Sequence, residues 1–242
     1  MENVKLTIAK NIKVGKDIYL MNLVGDTKAI KNSGEFINIT VPNYYLRRPI
    51  SVCDFSDKHV DILYKVLGRG TKDLSTFEEG FELDCLLGLG NGFDLEKSKK
   101  PLLIGGGIGI APMFALAKHF NQKGIKPTLV YGARSQDDIV LTEELKQYCD
   151  LIVCTDDGSL GFKGNVIECI KNSNIDFDYY YSCGPYKMLE YLSKAYSNGC
   201  VSLEARMGCG FGACMGCSIQ TTKGPQRVCK EGPVFEATEV IY

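Results

Sequence analysis

The chain has 242 residues, of which 45% are hydrophobic and 24% charged, and its 29 acidic and 28 basic side chains leave a net charge of −1. At a typical size of ~150 residues per domain, this length predicts one or two folded units with a proper core. A nearly neutral chain lacks the basic face that nucleic-acid binding usually requires. The sequence shows neither an apolar stretch long enough to span a membrane nor a secretory leader, so we expect a cytoplasmic protein without an anchor.

The first region, residues 1–97, is a series of short alternating or apolar runs separated by Asn, Asp, Gly and Pro. The runs cover residues 4–9, 17–23, 36–41, 60–66 and 81–87. Short strands at close spacing without long helices are typical of a small closed antiparallel sheet. We therefore predict an N-terminal antiparallel β-barrel.

The second region, residues 98–199, follows a polar stretch at 96–100 and has a different rhythm. Its predicted strands are 101–104, 128–131, 151–155 and 179–183, and its predicted helices are 113–121, 142–148, 164–170 and 186–196. Strands that alternate with helices indicate a doubly wound parallel α/β domain. The third region, residues 200–242, is glycine-rich and carries a group of cysteines.

Eleven cysteines, an odd number without an export signal, argue against a disulfide framework. Seven are isolated and are interpreted as small buried apolar residues: Cys53, Cys85, Cys149, Cys154, Cys169, Cys183 and Cys200. The other four have a Cys-x4-Cys-x2-Cys spacing with a fourth cysteine after eleven more residues: Cys209, Cys214, Cys217 and Cys229. This is the spacing of plant-type 2Fe-2S sites.

Two alternatives remain for the four clustered cysteines. Structural zinc sites favour two Cys-x2-Cys pairs, whereas this region has one. The cysteines could also be unrelated core residues. Glycines throughout the loop favour the cluster, because they allow sharp curvature and leave amides free to donate to sulfur: Gly208, Gly210, Gly212 and Gly216.

A glycine-rich turn opens the second region between a predicted strand and a predicted helix. Its glycines are Gly105, Gly106, Gly107 and Gly109. A turn in this context can cradle the phosphates of a dinucleotide at a helix N-terminus. The turn departs from Gly-x-Gly-x-x-Gly at Pro112, and close packing of the strand against the helix is the alternative explanation.

A third motif lies in the first region, where Arg48 and Ser51 are followed by Lys65 and by a Gly70-Thr71 turn. An arginine, a hydroxyl group and such a turn suit the diphosphate and ring edge of a flavin, although a solvated basic loop would look the same. His59 and His119 stand apart from every motif, and no Ser/His/Asp arrangement supports hydrolysis.

Together these motifs resemble the ferredoxin–NADP reductase superfamily. Residues Arg48–Ser51 are similar to its flavin motif, Gly105–Pro112 to its nicotinamide turn, and Cys183–Pro185 to its Cys-Gly-Pro segment. Within the superfamily, residues 204–217 and 228–235 look most like the electron-transfer subunits of class 1B dihydroorotate dehydrogenases. The resemblance covers essentially the whole chain.

The resemblance implies three cofactors, FAD, a 2Fe-2S cluster and NAD, and a separate FMN-containing catalytic subunit of dihydroorotate dehydrogenase, with two copies of each chain in a heterotetramer. The implied flavin contacts are Arg48, Pro49, Ile50, Ser51, Leu63, Tyr64, Lys65, Gly70 and Thr71. The implied nicotinamide contacts are the four glycines of the turn together with Cys183, Gly184 and Pro185. Ile50 takes the place of the motif tyrosine, which makes Tyr64 the candidate for stacking on the flavin ring.

The order of the cofactors follows from the number of electrons that each one exchanges. Nicotinamide exchanges a hydride and a 2Fe-2S cluster a single electron, so the flavin must stand between them. The implied path in pyrimidine (UMP) biosynthesis runs from dihydroorotate through the partner's FMN, the cluster and FAD to NAD⁺. Dihydroorotate oxidation then belongs to the partner, and this chain contributes no catalytic residue of its own. The alternatives are a related NAD(P)H–ferredoxin-type oxidoreductase, a stand-alone diaphorase, and a zinc-stapled binding module.

NAD is expected rather than NADP because of the segment that follows the second strand of the α/β domain. Arg134 and Ser135 suit a 2′-phosphate, but Asp137 and Asp138 come directly after them and would repel it.

Overall fold

The computed structural model describes residues 1–242 and has fifteen strands and five α-helices. The first region is a closed antiparallel barrel of six strands in the order β1-β2-β5-β4-β3-β6. Its strands are β1 (Glu2–Gly15), β2 (Ile18–Val24), β3 (Phe36–Ile39), β4 (Arg48–Phe55), β5 (His59–Lys65) and β6 (Glu82–Leu89). Alternate residues of β6 point inward and are buried, as one face of a barrel strand requires.

The structure contains one barrel strand and one short helix that the sequence did not predict for this region. Strand β4 begins at Arg48 and contains the predicted flavin motif. Its initial arginine and proline interrupt the alternation of polar and apolar residues from which the other five strands were predicted. The predicted Gly70-Thr71 turn lies instead in the helix α1 (Arg69–Leu74).

The second region is built on a seven-stranded sheet in the order β10-β9-β8-β7-β11-β12-β15. Its strands are β7 (Pro101–Gly106), β8 (Thr128–Ala133), β9 (Asp150–Thr155), β10 (Phe162–Lys163), β11 (Tyr179–Cys183), β12 (Gly199–Ser202) and β15 (Val234–Glu236). All pairs are parallel except β12–β15. The helices are α2 (Ile110–Gln122), α3 (Thr142–Leu145), α4 (Val166–Asn172) and α5 (Tyr186–Ala195). Each predicted helix exists, but α3 ends at Leu145, and three short strands of the sheet, β10, β12 and β15, were not anticipated.

The third region begins and ends on that same sheet. Strand β12 starts at Gly199, so a division between residues 199 and 200 falls within a strand. The chain then forms the cysteine loop and a hairpin, β13 (Ser218–Thr221) and β14 (Gly224–Arg227), before β15 pairs with β12. The cysteine loop is thereby attached to the edge of the α/β sheet.

Three buried clusters form the core. One fills the barrel, and one lies on each face of the α/β sheet. The second cluster joins barrel side chains such as Leu63 to Met113 of α2 and Leu103 of β7, so the barrel and the α/β domain share a continuous apolar interface. The third cluster includes Cys217 and Cys229. No helix is both long enough and apolar enough to cross a membrane.

Candidate functional site

The four clustered cysteines come together although they enter from two segments. The thiol of Cys209 accepts hydrogen bonds from the backbone N–H groups of Ala213 and Cys214, at 3.2 and 3.4 Å. The thiol of Cys217 accepts one from the N–H of Cys229 at 3.4 Å. Backbone donors aimed at sulfur are the environment that iron–sulfur ligands require.

The pKa values of two of these thiols indicate which kind of group the loop can bind. Burial raises the pKa of Cys209, but N–H donors from Phe211, Cys214 and Ala213 outweigh it and lower the pKa to about 6. The pKa of Cys229 rises to about 12, first through burial and then through the thiol of Cys217 beside it. Neighbouring thiolates repel one another, and a positively charged metal core offsets that repulsion. The donor set therefore fits a 2Fe-2S cluster.

An ion pair supports the loop from the hairpin side. The guanidinium of Arg227 donates to the carbonyl of Gly212 at 2.5 Å and also forms a salt bridge with Glu231. The Arg227 hydrogen bond lowers the pKa of Glu231 to about 2. Gly212 has φ +94°, which a residue with a side chain rarely adopts. Cys217 and Cys229 are buried beneath the loop, while Cys214 is exposed.

The predicted nicotinamide residues also meet. Gly105 lies opposite Cys183 in the register of β7 and β11. A Cβ on Gly109 would overlap the carbonyl of Cys183 and lie 2.7 Å from the nitrogen of Gly184. The two segments cross at the carboxyl ends of β7 and β11, where the strand order reverses, which is the position of dinucleotide sites in open α/β sheets.

Cys183 is buried there, and burial raises the pKa of its thiol. It is therefore a neutral thiol at physiological pH, which suits it to shaping the pocket. Gly106 and Pro185 are close as well, since a Cβ on Gly106 would lie 2.8 Å from the Cδ of Pro185.

The predicted flavin residues fall into two groups. Those on β4 and α1 meet: a Cβ on Gly70 would lie 2.5 Å from Nη2 of Arg48, whose guanidinium also stacks 4.7 Å above the ring of Tyr44. Arg48 makes no salt bridge, so its charge is available to an anion. The hydroxyl of Thr71 is occupied in the first turn of α1, where it accepts the N–H of Leu67 at 3.0 Å.

The three predicted residues of β5 point in other directions. Tyr64 is buried in the barrel core, and its hydroxyl donates to Asn11 at 3.0 Å. Leu63 faces the interface with the α/β domain. The ammonium of Lys65 lies 2.6 Å from the carboxylate of Asp138. The arrangement brings Arg48 and Gly70 together but buries the ring of Tyr64 in the barrel core, where it stacks on Tyr19 with ring centroids 5.7 Å apart.

The ion pair between Lys65 and Asp138 changes the argument about the 2′-phosphate. Asp138 is neutralised by the barrel lysine Lys65. Only one of the two carboxylates expected to repel a 2′-phosphate, that of Asp137, is therefore left without a cation. Arg134 is exposed and makes no salt bridge. Sequence reasoning could not detect this pair because its members are 73 residues apart.

The two histidines serve packing and local hydrogen bonding. The ring of His119 packs edge-on against Phe55, with centroids 5.2 Å apart. His59 contacts the hydroxyl of Ser56 at 2.6 Å and lies near Asp54 and Asp61. Asp54 is already paired with the ammonium of Lys118 at 2.6 Å, which leaves this group without a free pair of carboxylates.

Comparisons with known proteins agree with this geometry. Residues 204–241 match the family described as the iron-sulfur cluster binding domain of dihydroorotate dehydrogenase B. Residues 103–194 match the oxidoreductase NAD-binding domain.

Similar proteins extend the match to nearly the whole chain. The dihydroorotate dehydrogenase B (NAD(+)) electron transfer subunit of Fusobacterium nucleatum is 40% identical over 97% of this chain and 96% of its own length. Its counterpart from Streptococcus mutans is 39% identical over 98% and 97%. The structure of an NADH-dependent reduced ferredoxin–NADP oxidoreductase aligns with a TM-score of 0.89 at 28% identity, covering 98% of this chain and 90% of that one.

The fold and its sites thus define an oxidoreductase electron-transfer subunit of the ferredoxin–NADP reductase type, with FAD, a 2Fe-2S cluster and NAD as its cofactors. The chain belongs to the family of dihydroorotate dehydrogenase B electron transfer subunits.

Proposed function

We propose that this chain carries electrons from the FMN of a dihydroorotate dehydrogenase catalytic subunit to NAD⁺, in pyrimidine (UMP) biosynthesis. The observation that carries the proposal is a four-cysteine site in which backbone N–H groups donate to the sulfurs of Cys209 and Cys217, in a chain that matches such subunits over almost its full length. The eleven free cysteines suit a reducing compartment, and we place the complex in the cytoplasm.

Each site makes a distinct contribution. Cys209, Cys214, Cys217 and Cys229 hold the cluster, and backbone N–H groups donate to the sulfurs of Cys209 and Cys217. Arg48 neutralises the flavin diphosphate, because its charge has no acidic partner. The turn at Gly105–Gly109 and the Cys183–Pro185 segment leave space for nicotinamide where they cross. When bound, FAD exchanges single electrons with the cluster and a hydride with NAD.

The remaining proposed flavin contacts lie along two neighbouring strands of the barrel. They are Pro49, Ile50 and Ser51 on β4, with Leu63, Tyr64 and Lys65 on β5, next to Gly70 and Thr71. Since the side chains of Leu63 and Tyr64 point into cores, we propose that this part of β5 contacts flavin through its backbone. The partner is the FMN-containing subunit, and we propose two copies of each chain per complex.

The test is reconstitution of the chain with an FMN-containing dihydroorotate dehydrogenase subunit. The isolated chain should reduce dyes with NADH and leave dihydroorotate unchanged. The complex should produce orotate with stoichiometric NADH. Orotate formation by the isolated chain, or a complex that reduces no NAD⁺, would contradict the proposal.

A second candidate is supported by the TM-score of 0.89 with the NADH-dependent ferredoxin–NADP oxidoreductase. A subunit of that kind would exchange electrons with ferredoxin. Rapid NADH-dependent ferredoxin reduction, with no gain from the FMN subunit, would favour it.

A further inference from the structure

One barrel residue outside every recognised motif contacts the cysteine loop. Asn38 lies in β3 and is 1% exposed. Its Nδ2 group donates a hydrogen bond of 3.2 Å to the backbone carbonyl of Cys209, a residue 171 positions further along the chain. Its partner in the β3–β4 register is Pro49, within the proposed flavin motif. Asn38 therefore stands between the strand that carries the flavin motif and the first cysteine of the cluster.

The loop is shaped to receive this side chain. A Cβ on Gly210 would overlap Nδ2 of Asn38 and lie 3.3 Å from its Cγ, so the residue after Cys209 has to be a glycine for the amide to reach the carbonyl. Gly210 also has φ +79°, a conformation that residues with side chains rarely adopt. The loop backbone and the barrel side chain are thus fitted to each other.

Stability alone does not account for an asparagine at this position. Its Oδ1 atom is buried and has no hydrogen-bond donor. A buried acceptor without a donor destabilises a fold, and a leucine of similar size would avoid that loss. The same residue is further fixed by its backbone carbonyl, which accepts from the guanidinium of Arg47 at 3.2 Å.

We infer that Asn38 is a positioning residue for electron transfer: its amide fixes the Cys209 segment of the cluster loop against the flavin-bearing strand and places a donor dipole beside the cluster. This inference rests on the proposed function. The amide is directed at the Cys209 carbonyl rather than at a sulfur, and it partly offsets the negative end of that carbonyl dipole; this favours the reduced, more negative state of the cluster and raises its reduction potential. It also holds the distance between the two centres constant.

The experiment compares Asn38→Leu and Asn38→Asp with the native chain, each reconstituted with FAD, iron and sulfide. Redox titration followed by the electron paramagnetic resonance signal should show a lower cluster potential in both variants, and lower in Asn38→Asp because of its added negative charge. Flavin-to-cluster transfer, followed by stopped-flow absorption after reduction with NADH, should slow by about 10- to 100-fold, the usual effect of removing a supporting contact at a metal site. Direct reduction of a dye by the flavin should not change.

Thr40→Val is the matched control, since Thr40 lies two residues further along and bonds to Asp84 of the barrel at 3.3 Å, not to the cluster loop. It should leave the potential and the transfer rate unchanged. Gly210→Ala changes the same contact from the loop side, because the added methyl overlaps the Asn38 amide and strains a backbone at φ +79°, and it should slow transfer as well.

The outcomes separate the two proposals. A native chain without a 2Fe-2S signal would overturn the proposed function. A native signal, with an unchanged potential and transfer rate in Asn38→Leu and Gly210→Ala, would overturn the role of Asn38 alone. If Asn38→Leu fails to fold, Gly210→Ala and Asn38→Asp decide the question by the same two measurements.

Discussion

The cysteine loop and the nicotinamide site, where the Gly105–Gly109 turn meets Cys183, are both rich in glycine and both include cysteine, yet Gly212 and Gly109 serve different purposes. In the cysteine loop Gly212 has φ +94°, and glycine is needed for backbone conformation. In the nicotinamide turn Gly109 has ordinary helical backbone angles, and glycine is needed because the Cys183 segment passes so close. Gly212 therefore serves the conformation of the loop, and Gly109 serves close packing against the Cys183 segment.

The cysteines differ for the same reason. Backbone donors outweigh the effect of burial at Cys209 and lower its pKa to about 6, whereas at Cys183 burial outweighs the hydrogen bonds from Ser202 and Gly184 and raises the pKa. Cys209 is therefore suited to bind a metal, and Cys183 is suited to line a pocket. A motif of glycine and cysteine therefore has no fixed chemical meaning until the backbone donors around the sulfur are known.

Replacing a ligand should have the largest effect. We expect Cys214→Ser and Cys217→Ser each to lose the cluster, because a serine oxygen is a harder and shorter-reaching ligand than a thiolate. Dihydroorotate-driven NAD⁺ reduction in the complex should collapse, while NADH reduction of a flavin-accepting dye should persist. Iron content, the reduced-state resonance signal and both activities measure this. A normal signal with full coupled activity in both variants would refute the ligand assignment.

Removing the metal should separate the two kinds of cysteine without any mutation. In the loaded chain, iodoacetamide should label none of the eleven thiols readily, since seven are buried outside the loop and four are ligands. After chelation, the exposed Cys214 and half-buried Cys209 should react, and Cys183 should stay unlabelled until denaturation. Mass spectrometry of the adducts checks this. Labelling of Cys183 in the folded chain would contradict its assignment as a buried neutral thiol.

Sequence patterns were sufficient for the features that depend on local spacing. The barrel, the alternating α/β order and the ligand spacing at Cys209–Cys217 are all encoded within short windows. Strand β4 was missed because its Arg48-Pro49 start breaks the alternation, and β15 because a three-residue strand has no pattern of its own.

Long-range contacts could not be anticipated. Nothing near Asn38 in the sequence indicates a bond to Cys209, and nothing near Lys65 indicates a bond to Asp138. Arg227 and Glu231 offered a faint signal, because charges four residues apart often pair, but their support of Gly212 is visible only in the fold. Polar contacts between distant segments follow from topology and side-chain reach.

Glycine substitutions should impair the activities of the two sites separately. Gly109→Ala should reduce the free energy of unfolding by about 1–3 kcal/mol, as overpacking does, and weaken NADH-to-dye transfer, because the methyl group pushes the turn away from Cys183. Gly212→Ala should leave dye reduction intact and lower only the coupled activity. Urea denaturation and steady-state rates measure both. Equal losses of dye reduction in the two variants would show that the sites are not independent.

The choice between NADH and NADPH should show the smallest effect, because it depends on one exposed charge. Arg134 and Ser135 could receive a 2′-phosphate, Asp138 is neutralised by Lys65, and Asp137 is left as the repelling carboxylate. NADH should therefore be preferred. Asp137→Asn should raise kcat/KM for NADPH by a factor of about five, which corresponds to about 1 kcal/mol of activation free energy, and it should leave kcat/KM for NADH unchanged. Lys65→Met is the informative companion, since it frees the Asp138 carboxylate and should increase the preference for NADH. Steady-state kinetics with both nucleotides at low ionic strength, where an exposed charge is least screened, gives the ratio. Comparable efficiency with NADPH in the native chain would show that the free guanidinium of Arg134 outweighs Asp137.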